Sequence, residues 1–122
     1  MAQKAAGRRE QALRRCEQEY EELKQQLLTL GYILQGSVTE RWNQCGREWC
    51  HCHKDPESRH GPYYQWSWKD RAKTKSVYLD ADQANQCKAW IQNHRELERL
   101  LKRMRAVSLR AKRLQEIAQR GY

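Results

Sequence analysis

The middle of the chain contains the stretch that decides the fold: residues 45–53 read CGREWCHCH, and residues 60–64 read HGPYY. Three cysteines fall within eight residues, and a histidine follows eight residues after the last of them. Structural zinc sites use four thiolate or imidazole ligands in a tetrahedral arrangement. Because such a density of cysteine and histidine is hard to explain without a metal, we expect a closed structural Zn²⁺ site. Its ligands are Cys45, Cys50, Cys52 and His60.

Two other histidines compete for the fourth position. His51 lies between two ligand cysteines, so its side chain is expected to point away from the ion, and His53 is adjacent to a ligand, which strains a shared tetrahedron. Two alternatives stay open. Either histidine replaces His60 as the fourth ligand, or the cysteines are reduced thiols that bind no metal. Cys16 and Cys87 lie outside the cluster and are expected to be small apolar packing residues.

The residues near the cluster give no sign of catalysis. A catalytic zinc keeps one position open for water beside a general base, and the nearby acids Glu48, Asp55 and Glu57 have no feature of a base. The chain also lacks the deaminase, HExxH, phosphate-loop and nucleophile-elbow motifs. We therefore expect a protein that is not an enzyme and has no small-molecule substrate.

The residues after the cluster alternate as in β-strands. Residues 63–69 and 73–79 are rich in aromatic and β-branched side chains and are separated by a polar turn, which predicts an antiparallel hairpin. Residues 38–42 are a candidate third strand. Alternation places Tyr64, Trp66 and Trp68 on one face and Tyr63, Gln65, Ser67 and Lys69 on the other. Because five aromatic residues exceed what one face of a hairpin can bury, we expect some rings to be exposed.

Both ends of the chain show the seven-residue repeat of paired helices, and Gly and Pro are absent from residues 8–30 and 63–120. The first apolar stripe comprises Leu13, Cys16, Tyr20, Leu23, Leu27, Leu30 and Leu34. The second comprises Trp90, Leu97, Leu100, Met104, Val107, Ala111, Leu114 and Ala118. We predict helices over about 3–31 and 82–120, with Asp80 or Asp82 as the N-cap of the second.

The expected fold class is α+β. A heptad helix in residues 1–35 and a basic heptad helix in residues 81–122 flank a zinc-knuckle and β-hairpin module in residues 36–80. We expect the narrow stripes to pair either with each other, as an antiparallel helical pair or coiled coil, or across a homodimer. Of these two arrangements, we favour the homodimer. Asn93 at a d position either fixes the register of a buried seam or lies half exposed where the helix rests on the central module; we favour the second.

Composition limits the classes of protein. Only 18 of the 122 residues are Leu, Ile, Val or Phe, which excludes a large enclosed core. No stretch approaches the ~20 apolar residues that a membrane span requires, and the first residues lack the apolar region of a secretory signal. We therefore expect a cytoplasmic protein with reduced cysteines and no membrane partner.

The net charge of +9 is concentrated in the last third, where residues 81–122 have ten Lys or Arg against four Asp or Glu. A smaller basic cluster lies at residues 69–75. A stripe of this kind attracts polyanions, of which nucleic acid is the commonest in the cytosol, or it is the solvated face of a helical pair. Exposed rings near Arg71, Lys73 and Lys75 suit stacking on bases or insertion into a groove.

The central motifs resemble those of an uncharacterised bacterial family of short proteins, often encoded beside transposases or on other mobile elements. The motifs that show it are GS at 36–37, CG at 45–46, CxC at 50–52, HGPYY at 60–64 and KT at 73–74. The resemblance covers about residues 34–100 and implies a zinc knuckle with the same four ligands, a β-hairpin and a long following helix. Trp49 stands where the family usually has a small residue.

A second resemblance concerns architecture. A small antiparallel sheet with a Lys-Thr-Lys strand, followed by one helix, is similar to the arm-binding domains of tyrosine integrases. It implies a sheet lying in the major groove of DNA, which admits a two-stranded ribbon.

These observations predict a zinc-stabilised, non-catalytic nucleic-acid-binding protein, an accessory or regulatory subunit of a mobile element or defence system. DNA is favoured over RNA, and the chain is expected to form a homodimer or a larger nucleoprotein complex. The expected contacts are Gln65, Ser67, Lys69, Arg71, Lys73, Lys75, Arg99, Lys102, Arg103, Arg110 and Arg113. The alternative is a protein-interaction scaffold that recruits a nuclease or transposase. In that case we expect ion pairs between the last helix and Glu17, Glu19, Glu21 and Glu22 of the first helix, formed by Arg99, Lys102, Arg103, Arg110 and Arg113.

Overall fold

The computed structural model describes residues 2–119, and it describes the side chains of residues 6–116. The elements follow in the order α1 (Ala2–Leu28), β1 (Ser37–Asn43), β2 (His60–Asp70), β3 (Lys73–Leu79) and α2 (Ala81–Gln119). Two short 3-10 turns, His51–His53 and Pro56–Ser58, lie between β1 and β2. Two long helices flanking a small antiparallel sheet confirm the predicted α+β class.

The chain forms two compact units. The helical unit joins the stretch up to Gly31 with the stretch from Arg95 onward, and the sheet unit comprises Tyr32–His94. Helix α2 therefore contributes its first turns to the sheet unit and its remainder to the helical unit. The division into segments 1–35, 36–80 and 81–122 stays a prediction about the order of features along the chain.

The helical unit packs residues of the two heptad stripes against each other; Ala118, the last residue of the second stripe, lies outside the described side chains. Its buried residues are Cys16, Leu23, Leu100, Met104 and Val107, and partly buried neighbours from both stripes surround them. Arg110 Nη2 donates to Glu19 Oε2 at 2.8 Å across the pair. Of the two arrangements that the stripes allow, the structure shows the pairing of helices within one chain.

Helix α1 ends earlier than its apolar stripe predicts. The amides of Thr29 and Leu30 donate to carbonyls three residues back, which tightens the last turn before Gly31. Leu34, the last residue of the predicted stripe, is instead half-buried in the sheet unit, where its amide donates to the Trp90 carbonyl at 3.1 Å. The prediction of a helix to residue 31 with Leu34 on its stripe is therefore wrong at this end.

Helix α2 begins with a reciprocal cap at Asp80. The Asp80 carboxylate accepts from the Gln83 amide at 2.8 Å, and the Gln83 side chain accepts from the Asp80 amide at 3.1 Å. This is the capping-box arrangement, which satisfies two amides at the helix start. Of the two predicted caps, Asp80 is the one observed.

The sheet has the order β1-β2-β3 with both pairs antiparallel, so β2 is the central strand. The predicted hairpin and the candidate third strand are both confirmed. The two-residue turn between β2 and β3 has positive φ at Arg71 (50°) and Ala72 (67°), as expected for the turn type whose twist matches a hairpin.

One face of the sheet, the helix-side face, packs on the start of α2. Trp66 and Leu79 surround a shared cavity with Cys87 and Trp90. Trp66 also stacks on Trp68 with the ring centroids 3.8 Å apart. Asn93 is half-buried here and donates to the Tyr32 carbonyl at 2.8 Å, as predicted for a helix end that rests on the central module.

Gly36 permits the entry into β1. Its φ is +109°, and a Cβ atom built on it would lie 2.2 Å from the Ser67 carbonyl oxygen and 2.7 Å from Trp66 Nε1. Trp66 Nε1 itself donates to the Gln35 carbonyl at 2.9 Å, so the backbone approaches the tryptophan closely. Only glycine fits both the dihedral angle and the space.

We expect Gly36→Ala to destabilise the sheet unit by about 2 kcal/mol, because it combines a strained backbone with a clash against a main-chain oxygen. The matched control is Gly46→Ala, since nothing lies within 4 Å of a Cβ atom at Gly46. Thermal unfolding of both variants checks this. Equal melting temperatures for the two would contradict the close approach.

Candidate metal centre

The four predicted ligands come from both sides of the β1–β2 connection. Cys45 follows β1, Cys50 and Cys52 belong to the first 3-10 turn and its N-cap, and His60 begins β2. Asn43 pairs with His60 in the sheet register, so the ladder itself brings the end of β1 and the start of β2 together. The connection then has only to fold Cys50 and Cys52 back over this end of the sheet.

Hydrogen bonds within the connection fix that fold. The amides of Lys54 and Asp55 both donate to the His51 carbonyl at 3.0 Å. The Asp55 carboxylate then accepts from the Glu57 amide at 3.0 Å and from the Ser58 hydroxyl at 3.3 Å. Asp55 therefore caps the second 3-10 turn.

Gly61, directly after the last ligand, allows the close approach of the two strands. Its φ is +145°, and a Cβ atom there would lie 2.8 Å from the Arg41 carbonyl oxygen. The Gly61–Pro62 peptide bond is cis.

The donor atoms of the four residues lie within 4.8 Å of one another. Cys52 Sγ is 3.6 Å from Cys45 Sγ, and Cys50 Sγ is 3.3 Å from His60 Nε2. Zn–S bonds of about 2.3 Å in a tetrahedron place sulfur atoms roughly 3.8 Å apart, so these separations fit the edges of a single coordination sphere. All five cysteines are free thiols, and none of the cluster is used in a disulfide. The structure thus confirms that the predicted residues form one potential metal site.

The two competing histidines lie outside this group. His53 Nε2 is 2.8 Å from the Cys45 carbonyl oxygen, so its ring is hydrogen-bonded to the backbone beside a ligand. His51 is exposed and is not among the converging donors. The alternative in which either histidine replaces His60 is not what the structure shows.

The surroundings of the cluster favour the thiolate form at Cys50 and disfavour it at Cys52. Hydrogen bonds from the Cys52 backbone amide and then from His60 lower the pKa of the Cys50 thiol to about 6. Cys52 is 1% exposed, and its burial raises the pKa of its thiol. A bound metal cation deprotonates the thiols that coordinate it. The arrangement therefore suits a cation held by three sulfurs and one imidazole nitrogen.

The structure separates the residues predicted to contact nucleic acid on the hairpin. In the ladder, Lys69 faces Thr74 and Ser67 faces Ser76, whereas Lys75 faces Trp68. Since paired residues share a face, Lys73 and Lys75 lie on the helix-side face and not with Gln65, Ser67 and Lys69. Lys75 also forms an ion pair with Asp70 at 2.9 Å. Arg71 lies in the turn.

The predicted contacts on α2 fall into two groups. Arg110 pairs with Glu19 of α1, and Arg99 donates to Glu96 on its own helix at 3.0 Å. Lys102 and Arg113 are exposed and form no ion pair within the described side chains, whereas the charge of the exposed Arg103 helps Arg99 to lower the pKa of Glu96. If these five basic residues served only to join the two helices, each would pair with an acid of α1. Among the described side chains, Arg110 is the one that does so.

Two residues of the face opposite α2 were not predicted as part of it. Arg41 faces Tyr63, and Tyr78 faces Gln65, so both belong with Gln65, Ser67 and Lys69. The sequence shows that alternate side chains of each strand lie on opposite faces. Only the pairing register shows which side chains of neighbouring strands lie on the same face of the sheet.

Neither described helix has an apolar stretch of the length needed to cross a membrane. Among protein families, residues 10–89 match the model described as a domain of unknown function (DUF6788). The chain belongs to the DUF6788 family. The DUF6788 match begins in α1 and ends in α2, so it includes the whole sheet and all four residues of the metal cluster.

The DUF6788 match confirms the expectation of an uncharacterised family, although it starts before residue 34 and ends before residue 100. The neighbouring transposases and the likeness to integrase arm-binding domains stay predictions. Comparisons with curated proteins and with solved structures found no match.

Proposed function

We propose that this DUF6788 protein is a non-catalytic nucleic-acid-binding protein whose sheet unit is stabilised by a structural zinc ion. We further propose that it acts in the cytoplasm as an accessory or regulatory subunit of a mobile element or defence system. The function and the metal's identity are separate parts of the proposal and have separate tests.

Zinc is proposed from the chemistry of the donors. Three thiolates select soft or borderline cations such as zinc, and four protein donors saturate a tetrahedral ion. With no position open for water, such an ion has a structural role. Free thiols in all five cysteines suit a reducing compartment.

The observation that supports nucleic-acid binding is the placement of charge on α2. When Leu97, Met104 and Ala111 are assigned to position a of the heptad, positions b, c and f point away from the partner helix. Between residues 95 and 116 these positions contain six basic and two acidic residues. The basic ones are Arg95, Arg99, Lys102, Arg105, Lys112 and Arg113, all of them exposed. An outer face of this composition attracts a polyanion, whereas residues that only stabilise the pair lie at the edges of the seam, as Arg110 does.

We expect affinity for nucleic acid to fall steeply with salt, by about 10³-fold or more between 50 and 200 mM if six or more phosphates are neutralised. Fluorescence anisotropy of a labelled oligonucleotide measures it. Lys102→Gln/Arg113→Gln should reduce the slope of log affinity against log salt by about 2, because each substitution leaves one phosphate without its cation. The control Lys24→Gln removes a charge that α1 already pairs with Glu21 at 3.0 Å and should change the slope little.

The second candidate is the protein-interaction scaffold. The Arg110–Glu19 pair favours it, because it shows basic charge used between helices, and so does Leu109, which is 51% exposed at an outer f position. Salt-independent or absent nucleic-acid binding would replace the first proposal with this one.

A further inference from the structure

The face of the sheet opposite α2, here called the open face, has a composition unlike that of the helix-side face. The ladder assigns ten residues to it: Ser37, Thr39, Arg41, Tyr63, Gln65, Ser67, Lys69, Thr74, Ser76 and Tyr78. Eight of these are exposed, and the two half-buried ones, Gln65 and Ser67, lie in the central strand. We propose that the open face binds single-stranded nucleic acid, with bases stacked on Tyr63 and Tyr78 and phosphates held by Arg41 and Lys69. This proposal rests on the nucleic-acid-binding function proposed above and names its substrate class.

Charge is segregated between the two faces. The three strands contain two acidic residues, Glu40 and Asp70, and the register places both on the helix-side face. On that face Asp70 also pairs with Lys75 at 2.9 Å. The open face keeps two cations and no acid, and its other polar residues are hydroxyls and an amide. This distribution of charge attracts a polyanion to the open face. The helix-side face, where the acidic residues lie, does not attract one.

The two tyrosine rings lie where bases can reach them. Tyr63 is 43% exposed and Tyr78 is 67% exposed. They line a shallow hollow of about 410 Å³ with Asn43 and Gln44, whose side-chain amides offer donors and acceptors to a base edge. The helix-side aromatics are occupied instead, since Trp66 stacks on Trp68 and Lys88 lies 5.7 Å from the Tyr64 ring centroid.

The geometry favours a single strand over a duplex. Exposed aromatic rings stack on bases that are unstacked from their neighbours, as in single strands, whereas the bases of a duplex already stack on each other. From Tyr63 to Lys69 the central strand runs about 20 Å, which is long enough for several nucleotides between a stacking ring and a cation.

The test measures the fluorescence anisotropy of fluorescein-labelled 12-nucleotide oligothymidylate, oligouridylate and a mixed-sequence 12-base-pair DNA duplex, each titrated with protein at about 50 and about 200 mM salt. We expect the unmodified protein to bind one or both single strands more tightly than the duplex, and the two single-stranded arms distinguish DNA from RNA. Tyr63→Ala and Tyr78→Ala should each weaken single-strand binding by about tenfold, within the range measured for stacked bases.

Matched variants separate stacking from folding. Tyr63→Phe/Tyr78→Phe keeps both rings and should bind within about twofold of the unmodified protein, because stacking needs the ring and not the hydroxyl. Trp49→Ala removes a ring that is 76% exposed but outside the open face, and it should also leave binding unchanged. Circular dichroism spectra must coincide for every variant compared; if an alanine variant fails this requirement, Arg41→Gln and Lys69→Gln replace it, each with an expected loss of severalfold.

The outcomes distinguish the two proposals. Salt-dependent binding that is unaffected by loss of either tyrosine or of Arg41 and Lys69 would overturn the open-face proposal and leave the proposed function standing. Tighter binding to the duplex than to both single strands would do the same. No salt-dependent binding to any of the three probes would overturn the proposed function and this inference with it.

Discussion

Cys52→Ser is expected to abolish metal binding and to unfold the sheet unit. Cys52 is the most buried of the four donors, and its sulfur contacts both the Cys45 sulfur, at 3.6 Å, and the Cys45 amide, at 3.3 Å. Structural zinc in small domains contributes about 10–16 kcal/mol, which is comparable to the total stability of a typical domain, about 5–15 kcal/mol. The sheet unit has few buried residues to compensate for that loss.

Three measurements test the loss of metal and the unfolding that it causes. Elemental analysis should return one zinc per chain for the unmodified protein and none for Cys52→Ser. Tryptophan fluorescence should shift to longer wavelength, because the Trp66–Trp68 stack belongs to the sheet unit. A chelator added to the unmodified protein should produce the same spectrum as the substitution.

His51→Gln is the matched control for the metal site. His51 lies between two donor cysteines but is exposed and outside the converging group. We expect this variant to keep one zinc per chain and an unchanged fluorescence spectrum. A Cys52→Ser protein that retained one zinc per chain, or a metal-free protein that melted as the metal-bound one does, would contradict the site.

Leu100→Ala should destabilise the helical unit by about 3 kcal/mol. Leu100 belongs to the second stripe and is fully buried against the first, at 0% exposure. Leucine-to-alanine changes in such positions remove apolar contacts and leave a cavity. Among the side chains that the structure describes, the core of this unit has five buried residues, so one leucine is a large part of it. Urea unfolding followed by the helical signal at 222 nm measures the change.

Leu109→Ala provides the comparison on the same helix. Leu109 is 51% exposed, so its truncation should change the free energy of unfolding by no more than about 0.5 kcal/mol. A similar loss for both leucines would mean that the stripe of Leu100 is not the face on which the helices pack.

Much of the fold and of the metal site was predictable because it depends on local features. Donor types at short spacing indicated Cys45, Cys50 and Cys52, and the structure brings them together with His60. The period-two alternation of residues 63–79 indicated the hairpin, and the seven-residue repeats indicated the buried faces of both helices. Each of these patterns reflects chemistry or geometry that acts over a few residues.

The exact end of α1 was less predictable. The apolar stripe continues through Leu34, yet the helix ends at Leu28. Periodicity shows which residues are apolar, but Leu34 lies half-buried in the sheet unit, where its amide donates to the Trp90 carbonyl. An apolar residue at the edge of a repeat can be buried by either structure, so the repeat alone does not define the boundary.

The sequence by itself determined the three cysteine donors and the type of each long element, which depend on nearby residues, and the net positive charge, which depends on composition. Only the tertiary structure decided that His60 is the fourth donor, that the two stripes meet within one chain, and that Arg41 and Tyr78 share a face with Lys69 while Lys75 does not. The reason is that a sheet face is defined by hydrogen-bond register between strands distant in the chain, and a shift of one residue exchanges every side chain between the two faces.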